Sequence, residues 1–500
     1  MLGYLFEALT PFNLMLAFMG VVAGVTIGAM PGLTATMAVA VLTPLTFTME
    51  PASALIMLAA IYMGGIYGGC FAAVLLNTPG TPSSIATTFD GYPMAKRGDG
   101  ALALSLATMA SVVGGVVGVA MLLLVAPPLA KVALAFGPVE YFWLAVLGLT
   151  LVASLSEGSL LKGIMGACFG LLISFVGSAV IGGDLRFTFG NPTLTGGINI
   201  VVALIGLFCI PVVLDLVTTP DPHLEFSEDK HRGFRLMEAV RQMFGQKLNL
   251  VRSSAIGAFV GALPAAGGAI ASLIAYSEAR RSSKRSAHFG KGEPGGIVAS
   301  EAANNATVGG GFIPTLVLGI PGTPPDAIIL GALLVHGIRI GPSLFTEHSA
   351  IVYTFIFGLL IASLLMLPIG LFLGRYAFRG FVAIPKALLV PGILLMTILG
   401  TYAINNNLTE VFIMLALGVV GWVLARAGFS PAPIVLGVVL GQIAEQGFVQ
   451  AWLIGTASDN LLGMYFGRPI SLVILTLIVL SLGYPLLSSR LKGKLVQGSD

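Results

Sequence analysis

Charge is what this 500-residue sequence has least of. Asp, Glu, Lys and Arg make up 9% of it, against about 25% in a soluble domain, so it cannot clothe a water-facing surface of this size. Cysteine is nearly absent too: Cys70, Cys168 and Cys209 lie in apolar runs and read as packing residues, which excludes a disulfide scaffold. A net charge of +3 leaves no basic surplus for nucleic acid. No Lys or Arg precedes Lys96, so the positive start of a cleavable signal is missing and the N-terminus reads as already in the bilayer. Phosphate-loop, dinucleotide, zincin and nucleophile-elbow motifs do not occur. His223, His231, His288, His336 and His348 form no pair at metal-ligand spacing, so no enzyme chemistry, metal or cofactor is expected.

Apolar side chains fill the sequence instead. Hydrophobic residues make up 56% and mean hydropathy is +0.97, which indicates an all-α polytopic membrane protein. There is enough for roughly ten to twelve spans of about 20 residues. The 65 Gly and 28 Pro are the odder numbers, because so many breakers point to helices interrupted at chosen places.

The few basic residues set the topology, since Lys and Arg gather on the cytoplasmic side. Residues 219–252 carry Lys230, Arg232, Arg235, Arg241, Lys247 and Arg252, and residues 278–297 carry Arg280, Arg281, Lys284, Arg285 and Lys291. One apolar segment, 254–276, separates the clusters, and a single crossing would strand one on the wrong face. A re-entrant hairpin bent at Pro264 removes the conflict, each arm of about ten residues rising about 15 Å. A Pro-kinked spanning helix with misplaced charges is the other reading. The basic, amphipathic stretch 234–247 predicts an interfacial helix within a cytoplasmic linker, 219–252. Eleven spans plus two hairpins put Arg490, Lys492, Lys494 and the C-terminus in the cytoplasm, provided 326–345 and 451–468 do not cross.

Two internal matches divide the chain. Gly24-Val25-Thr26-Ile27-Gly28-Ala29-Met30-Pro31-Gly32 mirrors Gly257-Ala258-Phe259-Val260-Gly261-Ala262-Leu263-Pro264-Ala265, and residues 1–95 hold only Glu7, Glu50 and Asp90 as charges. The first hairpin, around Pro31, should therefore open outside and the second, around Pro264, inside. Gly68-Gly69 with Asn77-Thr78-Pro79-Gly80-Thr81-Pro82 aligns without gaps to Gly310-Gly311 with Gly319-Ile320-Pro321-Gly322-Thr323-Pro324, 242 residues apart. The expectation is two inverted-topology repeats, 1–218 and 253–500, each with a hairpin and a broken helix, a plan similar by analogy to elevator-like carriers.

Broken helices at membrane depth are tolerated where they are buried or line a wet cavity. Their freed amides suit an anion and their freed carbonyls a cation. The substrate-binding candidates are Pro31, Gly32, Asn77, Thr78, Pro79, Gly80, Thr81, Asn304, Asn305, Pro321, Gly322 and Thr323. Pro-Gly also permits a plain kink, and Asn304, Asn305 and Thr307 also serve as interhelical glue. Glu301 and Asp326 are the acids nearest these elements and the candidates for a coupling ion, H⁺ or Na⁺; an interfacial position for Glu301 and a helix cap for Asp326 are the alternatives.

Gly28-Ala29-Met30-Pro31-Gly32-Leu33-Thr34, Tyr67-Gly68-Gly69, Asn77-Thr78-Pro79-Gly80-Thr81-Pro82 and Asp90-Gly91-Tyr92-Pro93 resemble the large membrane subunit of the tripartite tricarboxylate transporters, TctA type. So do Glu301-Ala302-Ala303-Asn304-Asn305-Ala306, Pro321-Gly322-Thr323-Pro324 and Gly467-Arg468-Pro469. The resemblance runs nearly end to end. It implies a secondary transporter of the bacterial inner membrane, driven by a proton or sodium gradient. It also implies a small membrane partner subunit and a periplasmic solute-binding protein that delivers a tricarboxylate or related carboxylate. A channel for small organic anions without ion coupling is the alternative.

Overall fold

The computed structural model describes residues 2–155, 159–219, 235–264, 266–376 and 384–496. Lys230, Arg232, His223 and His231 of the expected linker, and Ala265 of the second hairpin, lie outside them. Eight helices among the described residues are long and apolar enough to cross a membrane, which makes the chain an all-α polytopic membrane protein. Spans expected at 138–155, 160–182 and 470–487 are shorter apolar helices, Pro138–Ser154, Leu160–Ser174 and Pro469–Gly483. The sheet among the described residues is one antiparallel pair of two-residue strands, Gly177–Ser178 with Leu185–Arg186.

The first half begins with α1 (Leu2–Ala8) and α2 (Pro11–Gly28), then α3 (Ala35–Leu42), α4 (Pro51–Leu76), α5 (Ile85–Met94) and α6 (Gly100–Ala133). Then come α7 (Pro138–Leu155), α8 (Leu160–Ser174), α9 (Ile200–Thr218) and α10 (Leu236–Phe244). The expected interfacial helix is α10, which turns Ala239 and Met243 inward. The second half continues with α11 (Lys247–Gly261), α12 (Gly267–Ser282), α13 (Pro294–Leu318) and α14 (Pro324–Val335). Proline opens α2, α4, α13 and α14, where its missing N–H costs no helical bond.

The hairpin arms depart from about ten residues and differ between halves. The second has arms of 15 and 16 residues, α11 and α12. In the first, α2 has 18 residues, long enough to cross alone, and α3 has 8.

Two helices form the centre. The most apolar 18-residue stretch of α4 is entirely buried, and residues 295–317 of α13 are buried as well. A helix apolar on every face belongs inside; α13 adds Glu301, Asn304, Asn305 and Thr307, so its interior is polar in places. By contrast Leu388, Leu395, Phe412 and Val423, on the peripheral helices Lys386–Asn405 and Leu408–Arg426, are exposed and form an apolar outer surface.

Packed side by side with both, α6 shows that the central helices run in opposite directions. Along α4, Met63 lies beside Gly115 and Tyr67 bonds Thr108, so α4 and α6 are antiparallel. Along α13, Ala302 meets Gly114 and Ala306 meets Gly118, so α13 and α6 are parallel.

Glycine sets the closeness of these packings, since a backbone without Cβ can touch its neighbour. A Cβ on Gly24 or Gly28 would strike the carbonyl of Ile61 or Gly65 on α4. A Cβ on Gly257 or Gly261 would strike the carbonyl of Ala303 or Thr307 on α13. Conversely, Gly68 meets the Val25 carbonyl and Gly310 meets that of Ala258. These contacts recur at the positions the sequence match pairs.

Candidate functional site

Each central helix stops short and its chain doubles back. Asn77 ends α4 with φ 53° and Gly319 ends α13 with φ 71°, the left-handed conformation that closes a helix. The Thr78 N–H then donates back to Ala72 O at 3.4 Å, and Gly80 N–H donates to Gly69 O at 3.4 Å. In the second break Ile320 N–H donates to Pro314 O at 3.3 Å, and Gly322 N–H to the Thr315 hydroxyl at 3.3 Å. Both returns press a glycine onto the end of the hairpin's first arm. Gly80 lies against Gly28 and Gly69, and Gly322 against Gly261 and Gly311.

Beyond that point the breaks differ. In the second, Tyr62 Oη lies 2.8 Å from Thr323 Oγ1, which donates to Asp326 Oδ2 at 2.7 Å. In the first, Ser84 Oγ donates to Thr81 O at 2.8 Å, and the first turn of α5 holds no acidic residue. Thr81, Ser83, Thr323 and Asp326 are all buried. Pro79 is half-buried, while Pro321, Gly80 and Gly322 are buried.

The helices after the breaks cross over. The helix α5 packs on α12 and α13, and α14 packs on α3 and α4. Ser272 Oγ, on α12, donates to Ser83 O at 3.0 Å. The Asp90 carboxylate accepts N–H bonds from Gly290, Gly292 and Glu293 at 2.9, 2.7 and 2.8 Å and the Tyr276 hydroxyl at 2.9 Å. Four donors on one buried carboxylate make a clasp between the halves.

Glu301 is wholly buried in the protein. Its carboxylate accepts the Thr87 hydroxyl at 2.5 Å and the Ser111 hydroxyl at 3.0 Å, and Ser300 stands 3.0 Å from Thr87. Asn305 Nδ2 donates to Ser111 Oγ at 2.8 Å, so Asn305 belongs to this cluster. Among the described residues no Lys or Arg pairs with Glu301. Asn304, one residue earlier, faces elsewhere. Its side chain lies against Gly268 and near Ser83, it is 0% exposed, and neither amide atom has a partner.

The structure separates some expected site residues. Asn77 is exposed and lines a different space, a cavity of about 560 Å³ bordered also by Tyr92, Tyr276, Ser277 and Arg280. Thr78 is half-buried and bonds Leu76 O at 3.3 Å. The residue of the first hairpin that meets the first break is Gly28; Gly32 lies beside Leu216. Tyr62, Ser83, Thr87, Ser111 and Gly268 were not singled out by the sequence. Only Tyr62 had a detectable signal there, because the 242-residue offset carries it onto Asn304.

Arg468, from the late Gly-Arg-Pro motif, pairs with fully buried Glu140 at 2.9 Å, with Ser471 donating to the same carboxylate at 3.0 Å. Among the described residues no group of three His, Cys, Asp or Glu could hold a metal ion.

The model of the tripartite tricarboxylate transporter TctA family matches residues 14–436. The chain belongs to this family. It is 38% identical over 455 residues to an uncharacterized 52.8 kDa protein in the TAR-I ttuC′ 3′ region of Agrobacterium vitis, covering 89% of this chain and 88% of that one. It is also 38% identical over 199 residues to an uncharacterized protein in the TAR-II ttuC′ 3′ region of the same organism, covering 40% of this chain and 81% of that one. No solved structure matches it. Family and helices together make this TctA-family chain a multi-pass membrane transport protein rather than an enzyme.

Proposed function

We propose that the chain is the membrane-translocating subunit of a binding-protein-dependent secondary transporter. It imports tricarboxylates or related carboxylates and is driven by a H⁺ or Na⁺ gradient. Its partners would be the small membrane subunit of the tripartite system and a periplasmic solute-binding protein, in the inner membrane with the C-terminus cytoplasmic. The observation that carries this reading is the meeting of two broken, oppositely directed central helices around buried polar groups.

The halves 1–218 and 253–500 are read as inverted repeats, supported by the glycine contacts that recur between them and by the opposed directions of α4 and α13. Residues around the two tetrapeptides line the space that takes the carboxylated substrate. Glu301, buried among hydroxyls without a cation, binds the coupling ion, with Asp326 the second candidate. Transport then consists of moving the elements that carry the breaks between the two faces, as in elevator-type carriers, which is an analogy of design.

The test is uptake of labelled citrate and succinate into proteoliposomes holding this chain with its small subunit and binding protein, under imposed Na⁺ or H⁺ gradients. Accumulation that collapses with one gradient supports the reading. Conductance or equilibration indifferent to both gradients would make it a channel instead.

A further inference from the structure

The 242-residue offset pairs Tyr62 with Asn304, Thr323 with Thr81 and Asp326 with Ser84. At the second break the chain supplies a complete set: a phenol on a threonine hydroxyl, and that hydroxyl on a carboxylate in the first turn of α14. At the first break two members differ. Asn304 replaces the phenol and is too short to fill the same space, and Ser84 stands where the carboxylate would be.

The result is a buried amide with nothing to bond. A Cβ on Gly268 would lie 2.5 Å from Asn304 Oδ1 and 2.9 Å from Ser83 Cβ, so Asn304, Ser83 and the start of α12 converge. The first turn of α12 holds no acidic residue, and its N-cap, Ala266, makes no side-chain cap. An uncapped helix N-terminus attracts an anion. An amide with neither atom partnered is expensive to bury unless a ligand completes it. Gly267 also lies 3.9 Å from Thr323 Cγ2, measured from its would-be Cβ, so both breaks border this point.

We propose that the substrate binds asymmetrically. One carboxylate of the substrate is held at the first break by the Asn304 amide, the Ser83 and Thr81 hydroxyls and the N-terminus of α12. The equivalent position at the second break is already filled by Asp326 and takes no substrate. Asp326 is thus a built-in counterpart of the carboxylate that the first break lacks. This rests on the carboxylate reading of the preceding section and assigns the side of the site.

The test uses the purified full-length protein in detergent, with citrate and succinate as probes and thermal stabilisation as the readout. Wild type is expected to be stabilised by at least one of them. Asn304→Ala is expected to weaken half-saturation about tenfold, the loss of hydrogen bonds to a charged group. Asn304→Asp, which sets a negative charge against the anion, is expected to abolish the response, and Tyr62→Phe to leave it unchanged. Wild-type affinity in both Asn304 variants overturns the proposal, as does a loss in Tyr62→Phe equal to that in Asn304→Ala. If neither acid stabilises the wild type, the carboxylate reading itself falls. Should the Asn304 variants fail to fold, Thr81→Val takes their place: a citrate half-saturation weakened about tenfold supports the site, and wild-type affinity overturns it.

Discussion

The Glu301 carboxylate accepts the hydroxyl of Thr87 at 2.5 Å across the boundary between the two halves of the sequence. One is on α13 and the other on α5, so the single acid of this cluster is solvated by the opposite half. If Glu301 binds the coupling ion, Glu301→Gln should retain stabilisation by citrate yet lose gradient-driven accumulation. A charged hydrogen bond is worth about 1.5–3 kcal/mol, which corresponds to about tenfold or more in uptake. Normal accumulation in Glu301→Gln proteoliposomes would remove Glu301 from the coupling scheme.

Thr81 and Asn77 should behave differently, although four residues separate them. Thr81 is buried beside Gly69, while Asn77 is exposed in the left-handed conformation. Thr81→Val should cut citrate uptake about tenfold by removing a hydroxyl from the site. Asn77→Gly should be tolerated, whereas Asn77→Val strains the turn by about 1–3 kcal/mol and lowers thermal stability. Equal uptake defects in Thr81→Val and Asn77→Gly would contradict this division.

Asp90 is expected to matter for folding more than for binding. Asp90→Ala orphans three backbone N–H groups and a phenol, and the donors of Gly292, Glu293 and Tyr276 are buried, each costing about 1–3 kcal/mol. The detergent-solubilised variant should unfold well below wild type, with faster amide exchange at Gly290, Gly292 and Glu293. Unchanged exchange there would mean the clasp is dispensable.

Close packing can be tested by adding a single carbon. Gly28→Ala and Gly261→Ala each force a Cβ into a facing carbonyl, with overpacking expected to cost about 1–3 kcal/mol. Gly3→Ala meets nothing within 4 Å and serves as the control. Thermal-aggregation midpoints should fall for the first two and hold for the third; equal midpoints would refute the contact.

Much of this arrangement was legible because it depends on backbone. A helix stop needs a residue that accepts positive φ, so Asn77 and Gly319 fall at matching places, and Pro264 lies in the bend between α11 and α12. Side-chain partnerships left no such trace. Tyr62 and Asn304 share no chemistry, so the offset that pairs them acquires a meaning only when the contacts are seen. Thr87 and Ser111 reach Glu301 from two other helices, a convergence that no spacing encodes. The arms of the second hairpin exceed the expected length of about ten residues because α11 begins at Lys247 and α12 runs to Ser282, both beyond the apolar segment 254–276.

The crossing of α5 and α14 onto opposite partners has a consequence for ancestry and for dissection. Neither half encloses a break with its own residues: Asn304 meets the first, and Tyr62 meets the second. If the halves are inverted repeats, a chain of half this length would close such a site by pairing with a second copy lying upside down to it. Severing the present chain between residues 219 and 235 should therefore yield two fragments that are inert apart and competent together.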